Sequence, residues 1–298
     1  MIQPESLQKG DVIALIATAK KINPGEIDGA IALMESWGLK VACGPHLYAA
    51  HHQFAGTDAE RASDLQWAID HPEAKAVVFA RGGYGTVRVL DHIDWNHFVA
   101  HPKWLCGFSD LTVLHSHVLV NLGVETLHSS MPIFFKDGKS NASSDSLKRA
   151  LFGELSKLEW ESDALNRKGT GQGICVGGNL SVLYSISGSV SEVDFEGKVL
   201  FLEDLTEYLY HLDRMMMQMK RSGQLSELAG LVVGQFSEMS DNPVPFGKTA
   251  EEIILEACSE YDFPIAFNAP IGHVEHNESV FHGRSVTLEV GTSSVLTF

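Results

Sequence analysis

Cysteine is sparse: Cys43, Cys106, Cys175 and Cys258 lie far apart in 298 residues, and no C-x-x-C pair occurs. That argues against a disulfide framework and against a thiolate zinc site, and it fits reduced thiols in a cytoplasm. Basic residues are also few. Twenty-two Lys and Arg face thirty-eight Asp and Glu, a net charge of −16. Nucleic acids and anionic membranes select basic faces, so neither is expected as a partner. No apolar run approaches the ~20 residues that span a bilayer. The segment Met1–Glu5 has no basic flank leading into an apolar stretch, so no signal peptide is expected. Charge is thin overall, at 20% of residues against 44% apolar, which excludes disorder as the main state. A chain of this size can bury one large core or two medium ones.

What is present is an alternation of strands and helices. Val12–Ala17 and Ala76–Ala80 are continuous apolar runs, as in parallel strands covered on both faces. Asn23 and Pro24 read as a helix cap and first position, followed by Ile27, Ala30, Ile31 and Met34 at helical spacing up to Gly38. Thr57 and Glu60 make a capping box ahead of Ala62, Leu65 and Ile69. Trp104–Phe108 is a short strand running into a helix that carries Leu111, Leu114, Val118 and Leu122. Such alternation builds a parallel sheet with helices on both faces, here over residues 1–135. Polar and glycine-rich residues 136–172 are expected to cross between domains, with a short helix near Leu147–Leu151 and an apolar break at Leu158–Trp160. Residues 173–298 hold denser strands: Lys198–Leu202, Leu231–Val233 and a closing hairpin of Ser285–Val290 and Val295–Phe298 around Gly291-Thr292. Helices are expected at Leu212–Met219 and Glu251–Cys258. The expected fold is therefore α/β, with an N-terminal parallel-sheet domain and a C-terminal mixed, strand-rich domain.

Four places could carry chemistry. Ser109, in Gly107-Phe108-Ser109-Asp110, falls between a buried strand and a helix, where a nucleophile elbow would stand beside unpaired helix N–H groups. The plainer reading makes Ser109 or Asp110 a helix N-cap, and the segment alone favours it; Ser109→Ala would then cost at most about 1–2 kcal/mol. The second glycine of G-x-S-x-G is absent, since Leu111 stands there. Glu203-Asp204 ends the strand Val199–Leu202, and Gly272-His273 lies in a loop. Acyl transfer needs a hydroxyl, a base to take its proton and an acid to orient the base. Ser109, His273 and Glu203 supply those types, although spacing cannot show that they meet. Arg81-Gly82-Gly83-Tyr84-Gly85 is either a tight turn or a place where backbone approaches a ligand. His273-Val274-Glu275-His276 lacks zinc-ligand spacing, so no metal and no cofactor are expected. The methionines 215, 216, 217 and 219 read as core filler.

Taken in order, several blocks resemble the LD-carboxypeptidase, or muramoyltetrapeptide carboxypeptidase, family over nearly the whole chain. They are Leu7–Asp11, Gly56–Leu65, Ala80–Gly85, Gly107–Thr112, Gly177–Leu180, Leu200–Asp204, Asp213–Met215 and Gly272-His273. The resemblance implies a serine peptidase that removes terminal D-Ala from murein tetrapeptides. It implies Ser109 as nucleophile, Glu203 as acid and His273 as base, with backbone N–H groups of Asp110 and Gly83 as oxyanion donors. It further implies a homodimer, and the scattered cysteines give the cytoplasm as the expected compartment. Two blocks depart from the family pattern: Ala17-Thr18-Ala19 stands where Ala-Pro-Ser is frequent, and His128-Ser129-Ser130-Met131 where His-Gly-Pro-Met is frequent. Two other readings stay open. The related microcin C immunity peptidases share the triad blocks but act on aminoacyl-nucleotide conjugates and tend to be longer. A non-catalytic muropeptide-binding protein could keep the same fold.

Overall fold

The computed structural model describes all residues, Met1–Phe298. In chain order the first elements are β1 (Val12–Ile16), α1 (Asp28–Ser36), β2 (Lys40–Cys43), α2 (Asp58–Asp70), β3 (Ala74–Phe79), α3 (Asn96–Ala100), β4 (Trp104–Gly107), α4 (Thr112–Leu122), β5 (Thr126–His128) and α5 (Ala142–Leu151). Then come β6 (Lys157–Glu161), β7 (Gly169–Asn179), α6 (Leu180–Ser185), β8 (Val199–Leu205), α7 (Leu209–Arg221), β9 (Gly230–Ser237), α8 (Ala250–Ala257) and β10 (Ile265–Ala266). The chain ends with β11 (Val280–His282), β12 (Ser285–Val290) and β13 (Ser293–Thr297).

The chain forms two compact units, Met1–Leu155 with Glu278–Phe281, and Ser156–Asn277 with His282–Phe298. The first is built on a six-stranded sheet in the order β11-β5-β4-β3-β1-β2. Its pairs β1–β2, β1–β3, β3–β4 and β4–β5 are parallel. Ile13–Ile16 and Ala76–Phe79 are fully buried, which is why those stretches are apolar without alternation. The second unit holds a seven-stranded sheet in the order β10-β9-β8-β7-β12-β13-β6. It is parallel from β7 to β10 and antiparallel from β7 through β12 and β13 to β6. The parallel-sheet and mixed, strand-rich architectures are those expected from the sequence.

Three differences have local causes. Helix α1 begins at Asp28, four residues after the expected first position Pro24. Gly25 takes φ +82°, which interrupts the helical path, and the Glu26 carboxylate accepts from Asn23 N–H instead. The stretch 136–172 is not a free crossing. Helix α5 belongs to the first unit, capped by Asn141, and β6 and the start of β7 belong to the second sheet. The division falls between Leu155 and Ser156. Strand β7 begins at Gly169 because its glycines admit neighbouring backbone: a Cβ on Gly171 would stand 2.0 Å from Ala229 O, and one on Gly177 1.9 Å from Phe201 O. The capping box at Thr57 and Glu60 and the hairpin of β12 and β13 form as expected. Met215, Met216 and Met219 are core, while Met217 is 38% exposed.

Candidate active site

In the first unit, parallel pairing puts the ends of β1, β3 and β4 at one edge of the sheet, with Ile16 beside Phe79 and Val78 beside Cys106. Ser109 leaves that edge after β4 with φ +64°. A non-glycine residue in this left-handed region is strained by about 1–3 kcal/mol and persists only where its surroundings over-determine it. Here they do. Phe108 is buried, with the rings of His128 and Phe134 at 5.5 and 5.3 Å. Gly107 O accepts from Ser129 N at 3.1 Å and from His115 Nε2 at 2.8 Å. That carbonyl bond makes Nε2 the protonated nitrogen of His115, and burial pushes its pKa down to about 4.

The N-cap reading of this segment does not hold. The short turn Ser109–Leu111 and helix α4 both begin without a side-chain cap. Asp110 does different work: its carboxylate accepts from Thr86 N at 2.8 Å and Gly85 N at 3.3 Å. It therefore ties the residue after Ser109 to the Arg81–Gly85 turn. On the other side of the same turn, fully buried Arg61 donates from one terminal nitrogen to Gly85 O at 2.8 Å and to Thr18 O. Its other terminal nitrogen meets Asp58, and its guanidinium lies 4.8 Å over the Phe54 ring. Thr18 and Thr86 share a 2.8 Å hydroxyl bond. The turn passes close to the serine: a Cβ on Gly82 would stand 3.4 Å from the Ser109 Cβ. Gly83, with φ +119°, is next in line. Backbone donors of a pinned glycine turn beside a strand-to-helix junction are suited to a developing oxyanion.

In the second unit, Glu203 lies near the end of β8 and is fully buried, and β9 is followed at a distance in sequence by the loop of His273. His273 Nδ1 lies 2.7 Å from Glu203 Oε2. The ring is 13% exposed while the carboxylate is 0% exposed. Loop bonds hold this pairing: Gly272 N donates to Asn277 Oδ1 at 2.9 Å, and Ser237 Oγ donates to His273 O at 3.2 Å. Gly272 must be glycine, since φ is +123° and a Cβ would come within 2.9 Å of the Glu203 Cβ. Asp204 points elsewhere. It accepts from Asn179 Nδ2 and Leu205 N at 2.9 Å and Ser181 N at 2.8 Å, so it secures the turn from β7 into α6. Burial, then the adjacent Glu203 charge, pushes its pKa up to about 6. No group of three or more His, Cys, Asp or Glu side chains is arranged to hold a metal ion.

The structure thus brings Glu203 and His273 together within one unit and, in the other, places Ser109 beside Gly82 and ties Asp110 to the turn that carries Gly83. The sequence points neither to Arg61 nor to the tie between the Asp110 carboxylate and the Arg81–Gly85 turn. A signal for Arg61 existed: it is three and four residues from buried Asp64 and Leu65, a charge in register with the apolar stripe of α2.

Comparison with known proteins adds the family. The LD-carboxypeptidase N-terminal domain matches residues 13–129, and the LD-carboxypeptidase C-terminal domain matches residues 172–288. A relative from Bacillus subtilis (strain 168), named a probable murein peptide carboxypeptidase, is 34% identical over 99% of this chain and 93% of its own. The solved muramoyltetrapeptide carboxypeptidase from Oxalobacter formigenes superimposes with a TM-score of 0.87 at 26% identity, covering 96% of this chain and 99% of that one. A microcin C7 self immunity protein, solved with aspartyl sulfamoyl adenosine, has a TM-score of 0.88 over 99% of this chain and 97% of its own, but at 16% identity that likeness shows the fold alone. Two successive domain matches and a full-length relative at this identity assign the chain to the LD-carboxypeptidase family.

Proposed function

We propose that the chain is a serine carboxypeptidase that cleaves murein tetrapeptides between the L-centre of a diamino acid and the terminal D-Ala. The observation that carries this reading is the 2.7 Å bond between His273 Nδ1 and the buried Glu203 carboxylate. A carboxylate on Nδ1 fixes the ring tautomer and makes Nε2 the nitrogen that takes up a proton. The strained backbone of Ser109 supports its part as nucleophile, because such outliers gather at functional sites.

In this mechanism Ser109 Oγ attacks the scissile carbonyl carbon while its proton passes to His273 Nε2. The tetrahedral oxyanion is met by the N–H groups of Asp110 and Gly83. Collapse breaks the C–N bond, and the imidazolium gives its proton to the leaving amine of D-Ala. The resulting ester is hydrolysed by a water that His273 deprotonates in turn. Glu203 stabilises the imidazolium through both half-reactions. A cytoplasmic homodimer acting on recycled muropeptides completes the proposal; cell fractionation and sedimentation velocity test those two points.

The test is incubation with murein tetrapeptide and detection by mass of D-Ala and tripeptide in equal amounts, alongside a fluorophosphonate probe mapped to Ser109. Tetrapeptide binding with neither release nor labelling would leave only a muropeptide-binding protein. Turnover of an aminoacyl-nucleotide conjugate with no tetrapeptide cleavage would move the protein to the immunity-peptidase branch.

A further inference from the structure

A carboxypeptidase recognises a chain end. In the substrate class proposed above, the carboxylate of the leaving residue is separated from the scissile nitrogen by a single carbon. Any cation that selects this carboxylate must therefore stand close to the nucleophile and the oxyanion turn. Cations are scarce in a chain of net charge −16, and most near the elbow are already engaged. Arg61 is buried on two backbone carbonyls and Asp58. Arg88 holds Asp58 through Nε at 2.9 Å and Nη2 at 2.6 Å. Arg81 leads the turn and lies in the field of Glu26, whose carboxyl it helps to hold below its usual range after the Asn23 N–H bond.

Lys20 is different. It lies four residues past β1, at the sheet edge from which Ser109 also departs. Its backbone N–H donates to Gly82 O at 3.3 Å, and it forms a β-bridge with Phe54. Its aliphatic stem is laid across Gly83: Cγ, Cδ and Cε lie 2.6, 2.7 and 3.1 Å from where a Cβ on that glycine would be. Gly83 therefore has a second reason to be glycine besides its φ of +119°. One residue earlier, Gly82 packs against Ser109. The residue is exposed, and no carboxylate lies within 4.0 Å of its ammonium. A long side chain pinned along its stem beside the nucleophile, with its charge uncommitted, has the form of an anion receptor.

We propose that Lys20 binds the terminal carboxylate of the substrate and sets the preference for a free chain end; this rests on the carboxypeptidase reading. The ammonium pairs with the D-Ala carboxylate while the adjoining turn faces the scissile carbonyl. Binding then positions the last peptide bond, and only the last, over Ser109.

The experiment compares tetrapeptide ending in D-Ala with the same peptide ending in D-alaninamide, using the full chain and its Lys20→Met and Lys20→Arg variants. Methionine keeps the stem over Gly83 and removes the charge. An ammonium–carboxylate bond in a partly desolvated site corresponds to about 10–100-fold in kcat/KM. The wild-type chain should prefer acid over amide by about that factor. Lys20→Met should collapse the ratio to near one, mainly through KM, and Lys20→Arg should restore most of it. An unchanged ratio in Lys20→Met, or an equal loss on both peptides, overturns the proposal. Fluorophosphonate labelling, which needs no carboxylate, separates the two levels. If the wild-type chain neither labels at Ser109 nor releases D-Ala, the carboxypeptidase reading itself falls, and this proposal with it.

Discussion

Replacing Ser109 by glycine should stabilise the protein while abolishing turnover, and alanine should abolish turnover with almost no change in stability. The serine holds φ at +64°, and its hydroxyl caps no helix. Alanine therefore loses no capping bond and keeps the strain, which places it within about 0.5 kcal/mol of wild type. Glycine relieves a left-handed conformation that disfavours other residues by roughly 1–2 kcal/mol. Against this, a more flexible unfolded chain costs about 0.4–1 kcal/mol. The difference leaves glycine about 1 kcal/mol more stable than alanine, or ~2–4 °C in melting temperature for a unit of this size. Threonine should fall below all three, because a branched Cβ fits this region worst. Differential scanning calorimetry of the four proteins at one pH reads the order directly. If glycine melts no higher than alanine, the elbow stores no strain. If alanine costs as much as a lost cap, the capping account of Ser109 returns.

Glu203→Gln keeps the shape but loses the charge and can turn an amide donor toward His273. A fall in kcat of two to four powers of ten with little change in melting is expected; near-normal kcat would reduce Glu203 to a packing residue. His115 sets a pH dependence. Its pKa is about 4 when folded and near 6.5 when unfolded, so protonation favours the unfolded chain as pH falls below 6.5. The loss at pH 5 is about 2 kcal/mol. Asp204 acts in the opposite sense. Raised to about 6 from 3.8, it is more comfortable protonated, and its contribution declines as pH rises through that window. Urea unfolding at pH 5 and 7.5 should therefore show His115→Gln losing an acid-sensitive component; an identical pH difference in the wild type would exclude a titrating His115. Activity should also survive prolonged chelation, and loss on EDTA with rescue by zinc would replace the serine mechanism with metal hydrolysis.

The parts of the fold legible in the sequence are those where burial is uniform. β1 and β3 are covered on both faces, so apolar runs announce them. β7 is only partly legible, because its glycines read as loop, whereas they are needed for backbone to approach from Ala229, Gly197 and Phe201. β6 alternates buried Leu158 and Trp160 with exposed charges over only five residues, too short a pattern to separate from a loop. The pieces of the site were legible as residue types at strand ends. The backbone conformation of Ser109 was not, since serine, unlike glycine, gives no compositional sign of positive φ. Nor was the reach of Asp110 to Thr86 or of Arg61 to Gly85, because such contacts join residues 24 positions apart.

The last strand of the nucleophile's sheet has a consequence for biosynthesis. β11 lies beside β5, Trp104 and Phe281 pack with ring centroids 5.5 Å apart, and Ser146 receives Ser279 N–H at 2.8 Å. All of these contacts join Met1–Leu155 to a segment of the same unit that is translated only after Ser156–Asn277 has been made. A ribosome therefore releases the N-terminal half with β5 as an open edge, and that edge stays open through the synthesis of the whole second unit. Exposed strand edges recruit other chains. Fragments that stop short of Glu278 should accordingly associate on release, and the soluble yield of a truncation series should rise steeply once residues 278–282 are included.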